Sequence, residues 1–417
     1  RRMTTSELQT EPRQTFTQAA GSVVAGGLSG VVTGLSVTLF LWLLQRVTLI
    51  FWNAPELLYL LPVAGLISGL FYQRAGHGVE RGNRLIFEQI RGEPGLVPLR
   101  MAPLVLVATL LTHLCGGSAG REGTAVQMGG GLAGGLGRWL RYTGLKRQIL
   151  LQSGLAGGFG AVFGTPVAGV IYALEAPGTG RWRLAAFFPC VTAAVSGHLT
   201  ATACGTAHAN YSITAVALPN FSGWLQQHGF LLVAGLGFVV TGRLYAGASE
   251  FVAAKLSHWV RRPWLRPVCG GLLVVLLAGS TGQTEALGLG ADRNPWQPQA
   301  TSLASVFTTG GAGWWSWFWK LVFTAVTVGS GLRGGEVTPL FFMGAALGHS
   351  LSRLLSLPLD LLSGLGFVTV FGAALRVPVT SFVLGLELFG WRNAGLWTGL
   401  AVMQLVLRMR RLRNFPR

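Results

Sequence analysis

Hydrophobic and polar positions do not alternate along this chain; they fall into long blocks. Apolar runs cover residues 20–50, 54–72, 101–115, 150–176 and 183–206 in the first half. In the second half they cover 229–247, 266–280, 313–331, 337–352, 360–376, 378–391 and 394–407. A helix needs about 20 apolar residues to cross a bilayer. Runs 20–50, 54–72, 150–176 and 183–206 reach or approach that length, whereas several second-half runs and the Gly-rich stretch 124–140 read as partial helices. Short and interrupted hydrophobic segments in both halves point to a transporter binding site. The pattern predicts an all-α polytopic membrane protein with many helices of unequal length, several of them broken. It divides into a cytoplasmic arm (1–19), a first membrane repeat (20–206), a polar inter-repeat loop (207–228) and a second membrane repeat with a basic tail (229–417). The interval from Gln73 to Arg100 is too polar to be a span.

Composition narrows the class. Half of the 417 residues are hydrophobic, only 11% are charged and 61 are Gly; mean hydropathy is +0.51. A soluble chain of this length needs more charge to cover its surface, and Gly is enriched where membrane helices pack closely. The net charge of +18 would point to nucleic acid in a soluble protein. Here the basic residues gather at the ends and in short loops: Arg1, Arg2 and Arg13, then Arg138, Arg141, Lys146 and Arg147, then Arg261, Arg262 and Arg266, and finally Arg408 to Arg413. That distribution predicts loops facing the cytoplasm and anionic lipid headgroups, and no nucleic-acid partner. Both termini are expected in the cytoplasm, with the chain in the inner membrane. The four cysteines, Cys115, Cys190, Cys204 and Cys269, lack metal spacing and read as small buried hydrophobes. No metal or cofactor is expected. The polar start and the length of run 20–50 argue against a cleavable leader.

Against this background one acid is conspicuous. Glu122 lies in Gly116-Gly117-Ser118-Ala119-Gly120-Arg121-Glu122-Gly123-Thr124, between apolar runs. An intramembrane acid is a functional-site hypothesis in its own right. The glycines free the backbone to bend before a helix begins and leave its first N–H groups available. The motif recurs: Gly334-Gly335-Glu336-Val337-Thr338-Pro339 repeats Gly, Glu and Thr in the same places. Downstream, Pro166 precedes Glu175 by nine residues, and Pro378 precedes Glu387 by nine. Two features in the same order predict an internal repeat, which we expect to be inverted.

Glu122 is the leading candidate for a proton-exchanging gate, with simple pairing to Arg121 as the structural alternative. Glu336 is its counterpart, either on a proton route or as an N-terminal helix acid. Thr338 offers a hydroxyl to a small anion, or an ordinary cap. Asn83, after Gly82, offers an amide at a helix start, although its composition also fits a loop. Glu175 and Glu387 read as markers of the membrane boundary. Trp314 to Lys320 read as an interfacial aromatic belt.

Gly120-Arg121-Glu122-Gly123-Thr124 resembles the G-[KR]-E-G-P signature of the CLC family of anion channels and anion/proton antiporters. Thr124 in place of Pro, together with Gly334 to Pro339, resembles its fluoride-specific branch. The resemblance runs from about residue 20 to the low 400s. It implies an inverted-repeat fold and a homodimer with one pore per subunit. It makes Glu122 the gating acid and sets Gly82 and Asn83 where chloride-type members carry G-S-G-I-P. It also adds Gly123, Thr124, Val337 and Thr338 to the anion site. Chloride/proton exchangers carry paired glutamates where this chain has Glu175-Ala176, so their proton route is not implied here. The family closes the inner side of the site with a Tyr on the last helix. This chain has none beyond Tyr245, which leaves Phe415 to fill the ring position without a hydroxyl, or an altered tail.

The function expected from this sequence is a fluoride/proton antiporter that exports fluoride. Fluoride enters cells as the neutral acid and is trapped inside as the anion, so inward proton flow can drive it out. The alternative is a chloride-permeable channel or chloride/proton exchanger of the same family. An enzyme is not expected, because no nucleophile–base or metal constellation is present. A cation or neutral-solute transporter fits poorly with glycine-rich helix starts, which favour anions.

Overall fold

The computed structural model describes residues 16–179, 182–208, 213, 221–297, 299–391 and 394–413. Fifteen α-helices occur among them. The first half holds α1 (Phe16–Asn53), α2 (Leu61–Ala75), α3 (Asn83–Arg91), α4 (Met101–Leu114), α5 (Glu122–Trp139), α6 (Gly144–Phe163), α7 (Pro166–Glu175) and α8 (Leu184–Ala203). The second half holds α9 (Phe221–Trp259), α10 (Arg266–Thr281), α11 (Ser316–Gly329), α12 (Val337–Leu355), α13 (Leu359–Leu375), α14 (Pro378–Phe389) and α15 (Ala394–Arg413). Helix lengths are as uneven as the apolar runs require: α9 has 39 residues and α7 has 10.

Five helical stretches among the described residues are long and apolar enough to cross a membrane: Ala19–Asn53, Pro55–Ala75, Leu184–Ala203, Gly229–Trp259 and Pro263–Thr281. Their outward faces are apolar too, with Val240 62% and Leu276 65% exposed. Such a surface suits lipid rather than water. Inside, small residues set the packing. Gly26, Gly30 and Gly34 recur every fourth position on α1 and lie against Pro189, Ala193 and Gly197 of α8. A side chain at Gly34 would come within 2.7 Å of the Gly197 carbonyl. This is the small-residue spacing by which membrane helices approach closely.

Two expectations change in the structure, and a third is filled in. Run 150–176 is two helices, because Gly164 takes φ +74° and ends α6 before Pro166 starts α7. The interval from Gln73 to Arg100 holds no span, as expected, and contains the short amphipathic helix α3, which begins at Asn83. Glu175 and Glu387 do not simply mark the membrane boundary. Glu175 accepts from the Val379 and Thr380 N–H groups at 3.1 and 2.7 Å and from the Thr380 hydroxyl at 2.7 Å. Glu387 accepts from the Val167 and Ala168 N–H groups at 3.0 and 2.8 Å. Each acid therefore caps the first turn of the other half's Pro-initiated helix, where N–H groups lack intrahelical partners and the dipole favours negative charge.

One end of the bundle is strongly basic. Arg138 donates to the Val97 carbonyl at 3.2 Å, and Arg147 donates to Gln89 at 2.7 Å and the Gly95 carbonyl at 2.8 Å. Arg91 reaches the Pro177 carbonyl and Arg183 the Ile90 carbonyl, both at 3.0 Å; Arg183 also donates to Gln148. The α2–α4 connection, the α5–α6 turn and the start of α8 thus share one face. The segment that follows α8, Cys204 to Ala207, lies at the other end.

Candidate anion site at two helix starts

Gly120 and Gly335 exchange backbone hydrogen bonds, each 2.6 Å long. That isolated antiparallel bridge holds the two repeated motifs side by side. Gly123 packs so closely on Gly335 that an added side chain would sit 3.0 Å from its Cα, so both positions need glycine.

The bridge delivers Glu122, the first residue of α5, to the start of α12. Its side chain is only 2% exposed. The carboxylate accepts the Thr338 N–H at 3.0 Å and the Thr338 hydroxyl at 2.5 Å. The Arg121 N–H adds a contact at 3.2 Å, and the Arg121 guanidinium approaches at 3.4 Å. Burying an ion costs several kcal/mol even after relaxation, and hydrogen bonds to a charged group return roughly 1.5–3 kcal/mol each. The carboxylate is thus held by helix-end donors of a kind that suits a small anion. A competing anion could use the same donors if the carboxylate withdrew.

A cavity of about 290 Å³ adjoins the carboxylate. Gly82, Asn83, Gly123, Glu336 and Val337 line it together with Glu122. The Asn83 amide oxygen has no partner there. Glu336 precedes α12 and accepts the Tyr245 hydroxyl at 3.1 Å. The cavity opens at the basic face among Arg81, Arg84 and Arg333. Arg81 and Arg84 share Glu88 at 2.8 and 3.0 Å, whereas the Arg333 guanidinium lies over the Tyr72 ring at 4.0 Å. On the other side a larger cavity, about 810 Å³, is lined by Arg121, Thr206, Asp292 and Arg293. Glu122 and Arg121 therefore stand between a basic-face cavity and one at the opposite end.

Thr124 does not line the basic-face cavity. Its hydroxyl is buried and bonded to that of Thr109 on α4 at 2.8 Å, because its place in the first turn of α5 points it into the helix packing. Phe415 lies outside the described residues. The aromatic belt also needs correction at its end. Trp314 and Trp315 are exposed, but Lys320 is 0% exposed and donates to the Ala286 and Gly288 carbonyls at 3.2 and 2.9 Å. Sequence reasoning did not single out Tyr245, Thr109, Tyr172 or Arg333, because none of them belongs to the repeated motif.

The sequence model of the voltage gated chloride channel family matches residues 60–404, and the chain belongs to that family. It is therefore a multi-pass membrane protein of a channel and transporter family, with the CLC-type fold. Among its relatives, a "Chloride/fluoride channel protein" from Pseudomonas syringae pv. tomato is 40% identical over 370 residues, covering 87% of this chain and 79% of that one. The crystal structure of a CLC-type fluoride/proton antiporter superposes with a TM-score of 0.86 at 31% identity, covering 94% of this chain and 96% of that chain. A slow cyanobacterial Cl⁻/H⁺ antiporter shares the fold, with a TM-score of 0.71 at 19% identity over 95% of this chain and 99% of that one.

Proposed function

We propose that this chain is a fluoride/proton antiporter that exports fluoride from the cytoplasm. The observation that carries the reading is the Glu122 carboxylate seated at the start of α12, on Thr338, between two cavities. Ionised, it holds the donors itself. When it takes a proton from the outer cavity it loses its charge and its hold on them. Fluoride then advances from the basic-face cavity, past Asn83 and Val337, onto the vacated N–H and hydroxyl donors. When Glu122 gives its proton inward, the returning carboxylate displaces the anion outward. Glu336, bonded to Tyr245, is positioned to receive that proton. Compact fixed donors suit fluoride, which is small and tightly hydrated and needs strong replacements for its water. The names of the two relatives at 31 and 40% identity support the same anion.

In this reading the basic face is cytoplasmic, because Arg-rich short loops stay inside. The chain sits in the inner membrane with both termini inside. The two halves form inverted repeats, a relation supported by the reciprocal Glu175 and Glu387 caps. Two copies associate as a homodimer, each with its own path.

Chloride is the second reading, favoured by the word "chloride" in the 40% identical relative's name. Purified protein in liposomes, with fluoride and chloride efflux recorded separately, decides between them. Fluoride efflux well above chloride efflux is expected; equal rates would reject fluoride export.

A further inference from the structure

Tyr172, on α7, is 5% exposed. Its ring stacks on Phe159 of α6, with centroids 4.9 Å apart and planes at 26°. It lines the basic-face cavity together with Glu122, Asn83 and Glu336. Among the described residues its hydroxyl takes no hydrogen-bond partner. The hydroxyl is thus free to donate to whatever occupies the cavity that Tyr172 lines. The ring stack does not need the hydroxyl, since phenylalanine would stack equally well. Asn83, contributed by α3, lines the same cavity. Two polar side chains from separate helices therefore line one small space. Much of the remaining wall is apolar, including Phe87, Val105 and Leu332.

We propose that Tyr172 is an anion-binding residue of this cavity: its hydroxyl donates to fluoride on the cytoplasmic side of Glu122. The inference rests on the anion-transport reading and extends it to a residue outside both repeated motifs. The chemistry fits a small anion. The phenol proton is a good donor, the stack fixes the ring so that little freedom is lost on binding, and Arg81, Arg84 and Arg333 at the mouth raise the local anion concentration. The anion would meet Tyr172 and the Asn83 amide before reaching Thr338. Water satisfies the same hydroxyl when the cavity holds no anion.

The test uses the full chain in liposomes, with initial fluoride efflux measured against internal fluoride. Tyr172→Phe keeps the stack and removes one donor to a charged ligand. The half-saturating fluoride concentration is expected to rise about tenfold, with a smaller change in maximal rate. Tyr172→His, which restores a donor on a flat ring, is expected to recover part of that loss. A half-saturation unchanged in Tyr172→Phe would overturn the assignment and leave the hydroxyl to water alone. If both variants lose maximal rate equally with unchanged half-saturation, Tyr172 is a packing residue and the proposal fails. If the unaltered protein moves no fluoride, the antiporter reading fails first and this inference with it.

Discussion

Glu122 and Thr338 are 216 residues apart in sequence, yet the threonine gives the glutamate both its backbone N–H, at 3.0 Å, and its hydroxyl, at 2.5 Å. The two residues come from the two copies of one short motif. The first copy supplies the charge and the second supplies the donors that receive it.

That division predicts the effect of Thr338→Val, which keeps the shape and removes the hydroxyl. Either occupant of the site, carboxylate or anion, loses a donor to a charged group. At roughly 1.5–3 kcal/mol per such bond, fluoride exchange in liposomes should fall about tenfold or more. A rate within a factor of two of the unaltered protein would mean the hydroxyl has no part in the site.

The reciprocal caps make a different prediction. Glu387→Gln retains the side chain's shape and one acceptor, but removes the charge from the start of α7. A charge at a helix start contributes up to about 2 kcal/mol in partly buried settings. The detergent-solubilised variant should unfold a few degrees lower, and Glu175→Gln should do the same through α14. Proton-coupled fluoride movement should persist in both. Unchanged melting with lost coupling would reassign these acids to the transport path.

Lys320→Met tests the buried ammonium. The substitution leaves the Ala286 and Gly288 carbonyls without their donor. Stranding buried acceptors costs about 1–3 kcal/mol, so the variant should melt lower, and protease should cut more readily in the connection between α10 and α11. Stability equal to the unaltered protein would show that water replaces the ammonium freely.

Much of this was legible in the chain itself. The apolar blocks located most of the helices, since helix length in a bilayer follows hydrophobic length. The repeated Gly-Glu-Thr motif located both halves of the site, because glycine and an intramembrane acid are costly unless used. The break between α6 and α7 was harder to see. Residues 150–176 are apolar on both sides of Gly164, and hydropathy does not register one residue's positive φ. Glu175 and Glu387 looked like boundary markers because their partners are backbone N–H groups, which no side-chain pattern reveals. The Thr124 contact with Thr109 was hidden for a related reason. Whether a hydroxyl faces a cavity or a neighbouring helix depends on how α4, α5, α6 and α7 pack together.

The central claim is that one carboxylate exchanges with the anion and carries the coupled proton. The most direct measurement follows fluoride efflux and proton uptake simultaneously in liposomes, for the unaltered protein and for Glu122→Gln. The unaltered protein should take up protons in step with fluoride release, and the variant, unable to ionise at that position, should take up none. Proton uptake that continues undiminished in Glu122→Gln would contradict the account.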